Sequence, residues 1–162
     1  MTISVGDRLP DLAVTRATAD GPQQVQLGEL TKGRKVVLFA VPGAFTPTCH
    51  KSHMPSFVRT SSAFKAQGID EILCVATNDP FVMRAWAAAS GADEAGIGML
   101  SDEKAALTIA LGLEIAPAQP GQMMRSKRYS MLVDDGVVRE LQVEESPGSC
   151  EISAGDSLLE RV

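Results

Sequence analysis

The chain is poor in aromatic residues, has an odd number of cysteines, and carries neither a basic stripe nor a long apolar run. Each shortage removes a class of protein. With one Trp, one Tyr and five Phe in 162 residues, the core has to be built from Val, Leu, Ile, Ala and Met. The three cysteines, Cys49, Cys74 and Cys150, are widely spaced, unlike the paired framework of a small secreted domain. They suit a reducing compartment in which thiols act by redox chemistry. A net charge of −5 without a basic face argues against binding a phosphate backbone, so no nucleic-acid partner is expected. Arg125, Lys127 and Arg128 form the densest basic cluster, enough for one small anionic site. No segment reaches the length of a membrane span, and Met1 to Leu12 lacks the apolar region of a signal peptide. No membrane partner and a cytoplasmic location are therefore expected.

What is present reads as one α/β domain over residues 1–162, long enough to bury a sizeable core without disulfides. Val36 to Val41 (VVLFAV) and Ile72 to Ala76 (ILCVA) are continuous apolar runs, the pattern of strands covered on both faces. Between them Met54, Phe57, Val58, Ser61 and Phe64 recur at a helical period, and Gly68 stops the helix. Asp79 and Pro80 predict the N-cap and first residue of a second helix ending near Gly91. A shorter helix is predicted over Ser101 to Leu111, with Ser101 or Asp102 as its cap. Tyr129 to Val133 and Val137 to Val143 flank Asp134-Asp135-Gly136, a hairpin signal. A last helix is expected around Gly155 to Arg161, and Gly112 to Gln122 reads as a surface loop. The order predicts a central mixed β-sheet flanked by helices, and a thioredoxin-like fold is the natural candidate. Gly96-x-Gly98 lacks a third glycine and is no nucleotide loop.

The segment that carries chemistry is Pro42-Gly43-Ala44-Phe45-Thr46-Pro47-Thr48-Cys49. It leaves the carboxyl end of a buried strand, where function gathers in open α/β sheets, and enters a helix. A cysteine in the first helical turn meets unpaired backbone N–H groups and the positive end of the helix dipole, and both favour a thiolate. Thr46 stands where a dithiol reductase would carry the first cysteine of Cys-x-x-Cys. Its hydroxyl cannot form a disulfide but can donate a hydrogen bond to the sulfur or to a bound oxygen. That argues for one nucleophilic cysteine and against dithiol exchange. Pro42 and Pro47 stiffen the loop.

Ionisation alone does not explain fast attack on an O–O bond. Free cysteine is already a few per cent thiolate at neutral pH, so complete ionisation gains only about 30-fold, or about 2 kcal/mol. Charge growing on the leaving oxygen needs preorganised donors, each contributing on the order of 2–4 kcal/mol. The run Arg125-Ser126-Lys127-Arg128 enters a strand directly and can bring a guanidinium to the sheet end. Read alone, Arg128 is more simply a surface charge beginning a strand, and Thr46 is equally a turn residue or cap. His50 and His53 follow Cys49, but the spacing fits no zinc pattern and a fourth ligand is missing; they read as helix-surface residues, and no metal is expected.

Together PGAFTPTC at Pro42 to Cys49, NDPFVM at Asn78 to Met83, RSKRYSMLVDDG at Arg125 to Gly136 and VGDRLPD at Val5 to Asp11 resemble the type II or Prx5 peroxiredoxins over nearly the whole chain. The resemblance implies a thioredoxin-like fold and an antioxidant thiol peroxidase. Its substrates would be hydrogen peroxide, alkyl hydroperoxides and peroxynitrite. Cys49 matches the peroxidatic cysteine, with Thr46, Pro42 and Arg128 around it. No metal or organic cofactor is implied, and loops near Phe45 and Phe81 are implied to form a homodimer. The Cys49 thiolate would become a sulfenic acid, which a second thiol condenses to a disulfide.

Three sources of that thiol stand open. Cys150 follows Ser146-Pro147-Gly148-Ser149, a turn-forming loop expected to be exposed and mobile, in the region where the Prx5 branch carries its resolving cysteine. Cys74 lies inside ILCVA, where plant type II enzymes carry theirs, although a free cysteine there is most simply core. Glutathione or a glutaredoxin can attack directly, and thioredoxin is the expected donor for an internal disulfide. Two other readings stand beside the peroxidase: a thiol–disulfide oxidoreductase, against which Thr46 in place of a cysteine counts, and a redox-sensing interaction protein that passes oxidation to a partner by mixed disulfide.

Overall fold

Alternation along two central strands shows how the core is divided. In the computed structural model, which describes residues 1–162, β3 (Lys35–Ala40) and β4 (Glu71–Ala76) are preceded by a hairpin, β1 (Ala13–Thr18) and β2 (Gly21–Gln26), and a short α1 (Leu27–Thr31). Val37, Phe39, Val41, Ile72 and Cys74 face one apolar cluster; Val36, Leu38, Leu73 and Val75 face another. Side chains of a strand alternate between faces, so two buried faces require two apolar sets, and this is why the runs are unbroken.

The first cluster is closed by α2 (Met54–Ala66), α3 (Pro80–Ser90) and α6 (Gly155–Leu159) through Phe57, Phe64, Met83, Trp86 and Leu158. The second is closed by α1 and α5 (Ala106–Leu111) through Leu27, Leu107 and Leu111. A one-turn α4 (Ala92–Ala95) follows α3. With β5 (Gly98–Ser101), β6 (Glu114–Ile115), β7 (Arg125–Ser126), β8 (Tyr129–Asp134) and β9 (Val137–Val143), the main sheet has the order β2-β1-β5-β4-β3-β8-β9, and β6 and β7 form a separate pair. The pairs β3–β4 and β4–β5 are parallel and the others antiparallel. The sheet is therefore mixed and flanked by helices, as expected of a thioredoxin-like fold.

Local chemistry explains several boundaries. Asp79 accepts from the Val82 N–H at 2.8 Å, Pro80 opens α3, and Gly91 ends it at φ 83°. Asp135 and Gly136, at φ 49° and 79°, make the tight turn between β8 and β9, the backbone sign that favours Asp-Gly there.

Other expectations need correction. Ser101 ends β5 rather than opening a helix, and α5 starts only at Ala106. Asp102 still caps it from a distance, its carboxylate accepting from the N–H groups of Leu107 and Thr108 and from the Thr108 hydroxyl. β1, β2 and α1 were not expected, because their alternation is diluted by Gln, Thr and Gly. The stretch Gly112 to Gln122 holds β6, whose two residues pair with β7.

Two loops at the carboxyl ends of β3 and β4 are tied by Asn78, whose side-chain oxygen accepts from the Ala44 N–H at 2.9 Å while its carbonyl accepts from the Ser101 hydroxyl. Ala44 is buried, so Asn78→Ala strands a donor. It should lower stability by about 1–3 kcal/mol, read as a reduced urea midpoint at unchanged slope, with Asn78→Asp losing less because it keeps an acceptor.

Candidate active site

The loop after β3 turns back on itself before the next helix starts. Phe45 takes the left-handed region at φ 64°, and the His50 N–H bonds to the Thr46 carbonyl at 2.9 Å. Thr46 is thus the N-cap, Pro47 the first helical residue and Cys49 the third. This leaves the Cys49 N–H among those without an intrahelical acceptor. The Met54 N–H then bonds to the Cys49 carbonyl, so Cys49–His53 is a π-helical turn leading into α2. Such widened turns recur at functional sites.

Arg128 lies just before β8 and is only 1% exposed, as is Cys49. Its Nη2 stands 3.1 Å from Cys49 Sγ and 2.9 Å from the Pro147 carbonyl, and its Nη1 is 3.0 Å from His53 Nδ1. The surface reading of Arg128 is therefore excluded by its burial. Three of its five N–H donors have these partners, whereas Nε is buried without one; a guanidinium can only donate.

His53 corrects an expectation outright. It is fully buried, not on the helix surface, and its ring packs beside Phe39 and Phe57 with centroids 5.1 and 5.6 Å away. Its Nε2 is 3.0 Å from the Ser153 carbonyl. Burial, reinforced by the Arg128 charge, lowers its pKa to about 3, with the bond to Ser153 opposing in part. His50 is engaged elsewhere, accepting from the Trp86 indole N–H at 2.9 Å. The spacing of four from Cys49 was the available signal for His53, since residues so spaced share a helix face.

Thr46 also differs from expectation. Its hydroxyl donates to the Gly43 carbonyl at 2.6 Å, so its proton is committed and it can serve another partner only as an acceptor. Pro42 is buried, and its carbonyl accepts from Arg125 Nη1 at 2.8 Å. A Cβ at Gly43 would collide with that same nitrogen, so a side chain there would displace Arg125 from the Pro42 carbonyl.

The other two cysteines stand apart in kind, and all three are free thiols. Cys74 is fully buried in β4 between β3 and β5, in the same apolar cluster as Cys49. Burial, and then the neighbouring Cys49, push its thiol well up. Cys150 is half-buried rather than freely exposed. Burial raises its thiol too, with Arg128 partly offsetting. Its loop is tied at several points. Arg128 holds the Pro147 carbonyl, Thr48 the Gly148 carbonyl at 3.2 Å, and the Glu144 carboxylate the N–H groups of Glu151 and Ser153 at 3.1 and 2.8 Å. Beside it a cleft of about 540 Å³ is lined in part by Glu114, Lys127, Arg128, Glu144 and Pro147, but not by Cys49.

The buried histidine makes stability depend on pH. His53 stays neutral in the fold down to about pH 3, whereas an ordinary histidine protonates near 6.5. Between those values the unfolded chain binds the extra proton, so stability falls as pH drops, by up to ~1.4 kcal/mol per pH unit from this group. Urea midpoints for wild type and His53→Gln at pH 7 and pH 5 should show a shallower loss in the variant.

Comparison with known proteins places the chain in a family. The redoxin family model matches residues 4–159. The chloroplastic peroxiredoxin-2E-2 of Oryza sativa subsp. japonica is 47% identical over 162 residues, covering 98% of this chain and 72% of that protein. Reduced Prx3 of Vibrio vulnificus, solved in complex with hydrogen peroxide, is 42% identical with a TM-score of 0.91 over 99% of both chains. Peroxiredoxin 5 of Alvinella pompejana is 34% identical with a TM-score of 0.84, over 98% of this chain and 96% of that one. No helix here is long and apolar enough to cross a membrane. The chain belongs to the peroxiredoxin family, in its type II or Prx5 branch, and is a thiol-dependent peroxidase acting on peroxides at the expense of a thiol reductant.

Proposed function

We propose that Cys49 is the nucleophile and that Arg128 is the donor that stabilises its attack, the carrying observation being the 3.1 Å approach of Arg128 Nη2 to Cys49 Sγ, both residues being 1% exposed. The Cys49 thiolate attacks one peroxide oxygen, an S–O bond forms and the O–O bond breaks. The departing oxygen takes a proton and leaves as water or alcohol, and the sulfur, oxidised by two electrons, is a sulfenic acid. The unpartnered Nε–H of Arg128 is available to the peroxide. Thr46, its own proton held by Gly43, accepts from the peroxide O–H, and Pro42 walls the loop. Hydrogen peroxide, the ligand of the Vibrio vulnificus relative, is the first substrate; alkyl hydroperoxides and peroxynitrite offer the same O–O bond.

Cys150 is our choice of resolving thiol. It attacks the sulfenic sulfur, an S–S bond forms, the S–O bond breaks and water leaves. Its half-exposed loop can move by releasing a few side-chain bonds, whereas Cys74 sits mid-strand with neighbours paired on both sides. A thioredoxin, a glutaredoxin or glutathione then reduces the bridge.

The molecule is proposed to act as one domain in a reducing cytoplasm, although two of its relatives are named chloroplastic. It is further proposed to pair with a second copy through Phe45 and Phe81. These rings are 50% and 70% exposed, and Asn78 ties the Phe45 loop to the start of α3. Sedimentation should give a dimer that Phe81→Asp converts to monomer.

Two experiments test the chemistry. Arg128→Lys, which loses the planar fork, should slow the second-order reaction with hydrogen peroxide by on the order of 10²-fold, and Cys49→Ser should abolish it. One equivalent of peroxide on wild type, Cys74→Ser and Cys150→Ser, followed by disulfide mapping, should show a Cys49–Cys150 bridge missing only from Cys150→Ser. A Cys49–Cys74 bridge would reassign resolution, and an unbridged sulfenic acid or glutathione adduct would place it outside the chain.

A further inference from the structure

His53 makes two polar contacts, and both lead somewhere chemical. One ring nitrogen meets Arg128, which holds Cys49; the other meets Ser153, which closes the loop that carries Cys150. We propose that His53 is a positioning residue of the peroxide site, its Nδ1 lone pair setting the Arg128 guanidinium on Cys49 and its Nε2 proton holding the end of the Cys150 loop. This rests on the reading of Arg128 and Cys49 given above.

The partners assign the tautomer. A guanidinium N–H can only donate and a backbone carbonyl can only accept. Nδ1 must therefore be bare and Nε2 protonated. The imidazolium would oppose an N–H to an N–H at Arg128, and the depressed pKa agrees with a ring that stays neutral. The ring cannot turn freely to find other partners, because Phe39 and Phe57 pack beside it and no part of it reaches solvent. It is no general base for Cys49, since its free lone pair points at Arg128 and not at sulfur.

The loop is held in two places by different groups. At its base, His53 takes the Ser153 carbonyl, and Glu144 takes the N–H groups of Ser153 and Glu151. At its tip, Arg128 takes the Pro147 carbonyl and Thr48 the Gly148 carbonyl. Carrying Cys150 toward Cys49 means releasing the tip while the base stays anchored. Arg128 thus serves both the attacking sulfur and the tip, and His53 serves both Arg128 and the base. One buried ring sets where oxidation happens and from where resolution starts.

Side-chain geometry allows the two roles to be separated. An Asn amide oxygen can stand near Nδ1 and accept from Arg128, whereas a Gln amide nitrogen can stand near Nε2 and donate to Ser153. His53→Leu removes both contacts. It should slow oxidation by hydrogen peroxide roughly 10-fold or more and speed amide hydrogen exchange at Glu151–Ser153 by a similar factor. His53→Asn should recover most of the oxidation rate but not the protection. His53→Gln should recover the protection but not the rate. In an Arg128→Lys background, His53→Gln should cost nothing further, since residues acting as a unit are non-additive.

Equal losses in all three variants, tracking thermal stability, or additive losses in the double variant, would overturn the proposal. An Arg128→Lys enzyme with undiminished rate would instead overturn the underlying reading of the site. Hydrogen exchange does not depend on which thiol resolves the sulfenic acid. Should the variants fail to fold, nitrogen NMR of the wild-type ring decides: an Nε2–H tautomer that does not titrate above pH 4 supports the proposal, and a protonated Nδ1 refutes it.

Discussion

A cation buried to 1% exposure is the constraint on which the rest of the site depends. Removing a guanidinium from water costs several kcal/mol unless partners replace the solvent. Around Arg128 those partners are a sulfur, an imidazole nitrogen and a carbonyl. No carboxylate takes the charge in an ion pair. The positive charge is therefore left to meet the negative charge that develops on a peroxide. A carboxylate in the place of His53 would neutralise it. A neutral imidazole orients the guanidinium while leaving its charge for the chemistry.

The backbone around Cys49 serves the same end. The β3 strand delivers Pro42 to the sheet edge, Asn78 fixes Ala44, and Arg125 fixes Pro42. The turn at Phe45 then starts a helix with Cys49 in its first turn. The π-helical turn that follows allows Cys49 and His53 to reach two nitrogens of one guanidinium. Sulfur reactivity here is a matter of donors held in place, which is what the small gain available from ionisation alone requires.

In the proposed cycle, the loop of Cys150 connects the peroxide step with the step after it. In the present conformation Cys150 is half-buried, and burial pushes its thiol up. Its anchors are polar and few, in contrast to the paired strands on either side of Cys74. A loop held by side-chain-to-carbonyl bonds can open without disturbing either apolar cluster.

Much of this was legible in residue order. The runs VVLFAV and ILCVA announced two-faced strands because such strands need apolar residues at every position. Asp79-Pro80 and Asp135-Gly136 announced a helix start and a hairpin because only a few residue types satisfy those backbones. Cys49 at a helix start, with Thr46 in place of a second thiol, pointed to single-cysteine chemistry. Tertiary structure decided what depends on partners distant in the chain. It buried Arg128, made His53 its neutral neighbour, turned the Thr46 hydroxyl onto Gly43, and tied the Cys150 loop over the site. β1 and β2 escaped notice for a related reason: β2 is the edge strand and β1 lies next to it, both partly exposed, and their polar residues erase the alternation that marks a strand. Local sequence specifies backbone preference and burial pattern, whereas hydrogen bonds between residues 75 or 100 positions apart exist only once the sheet has brought them together.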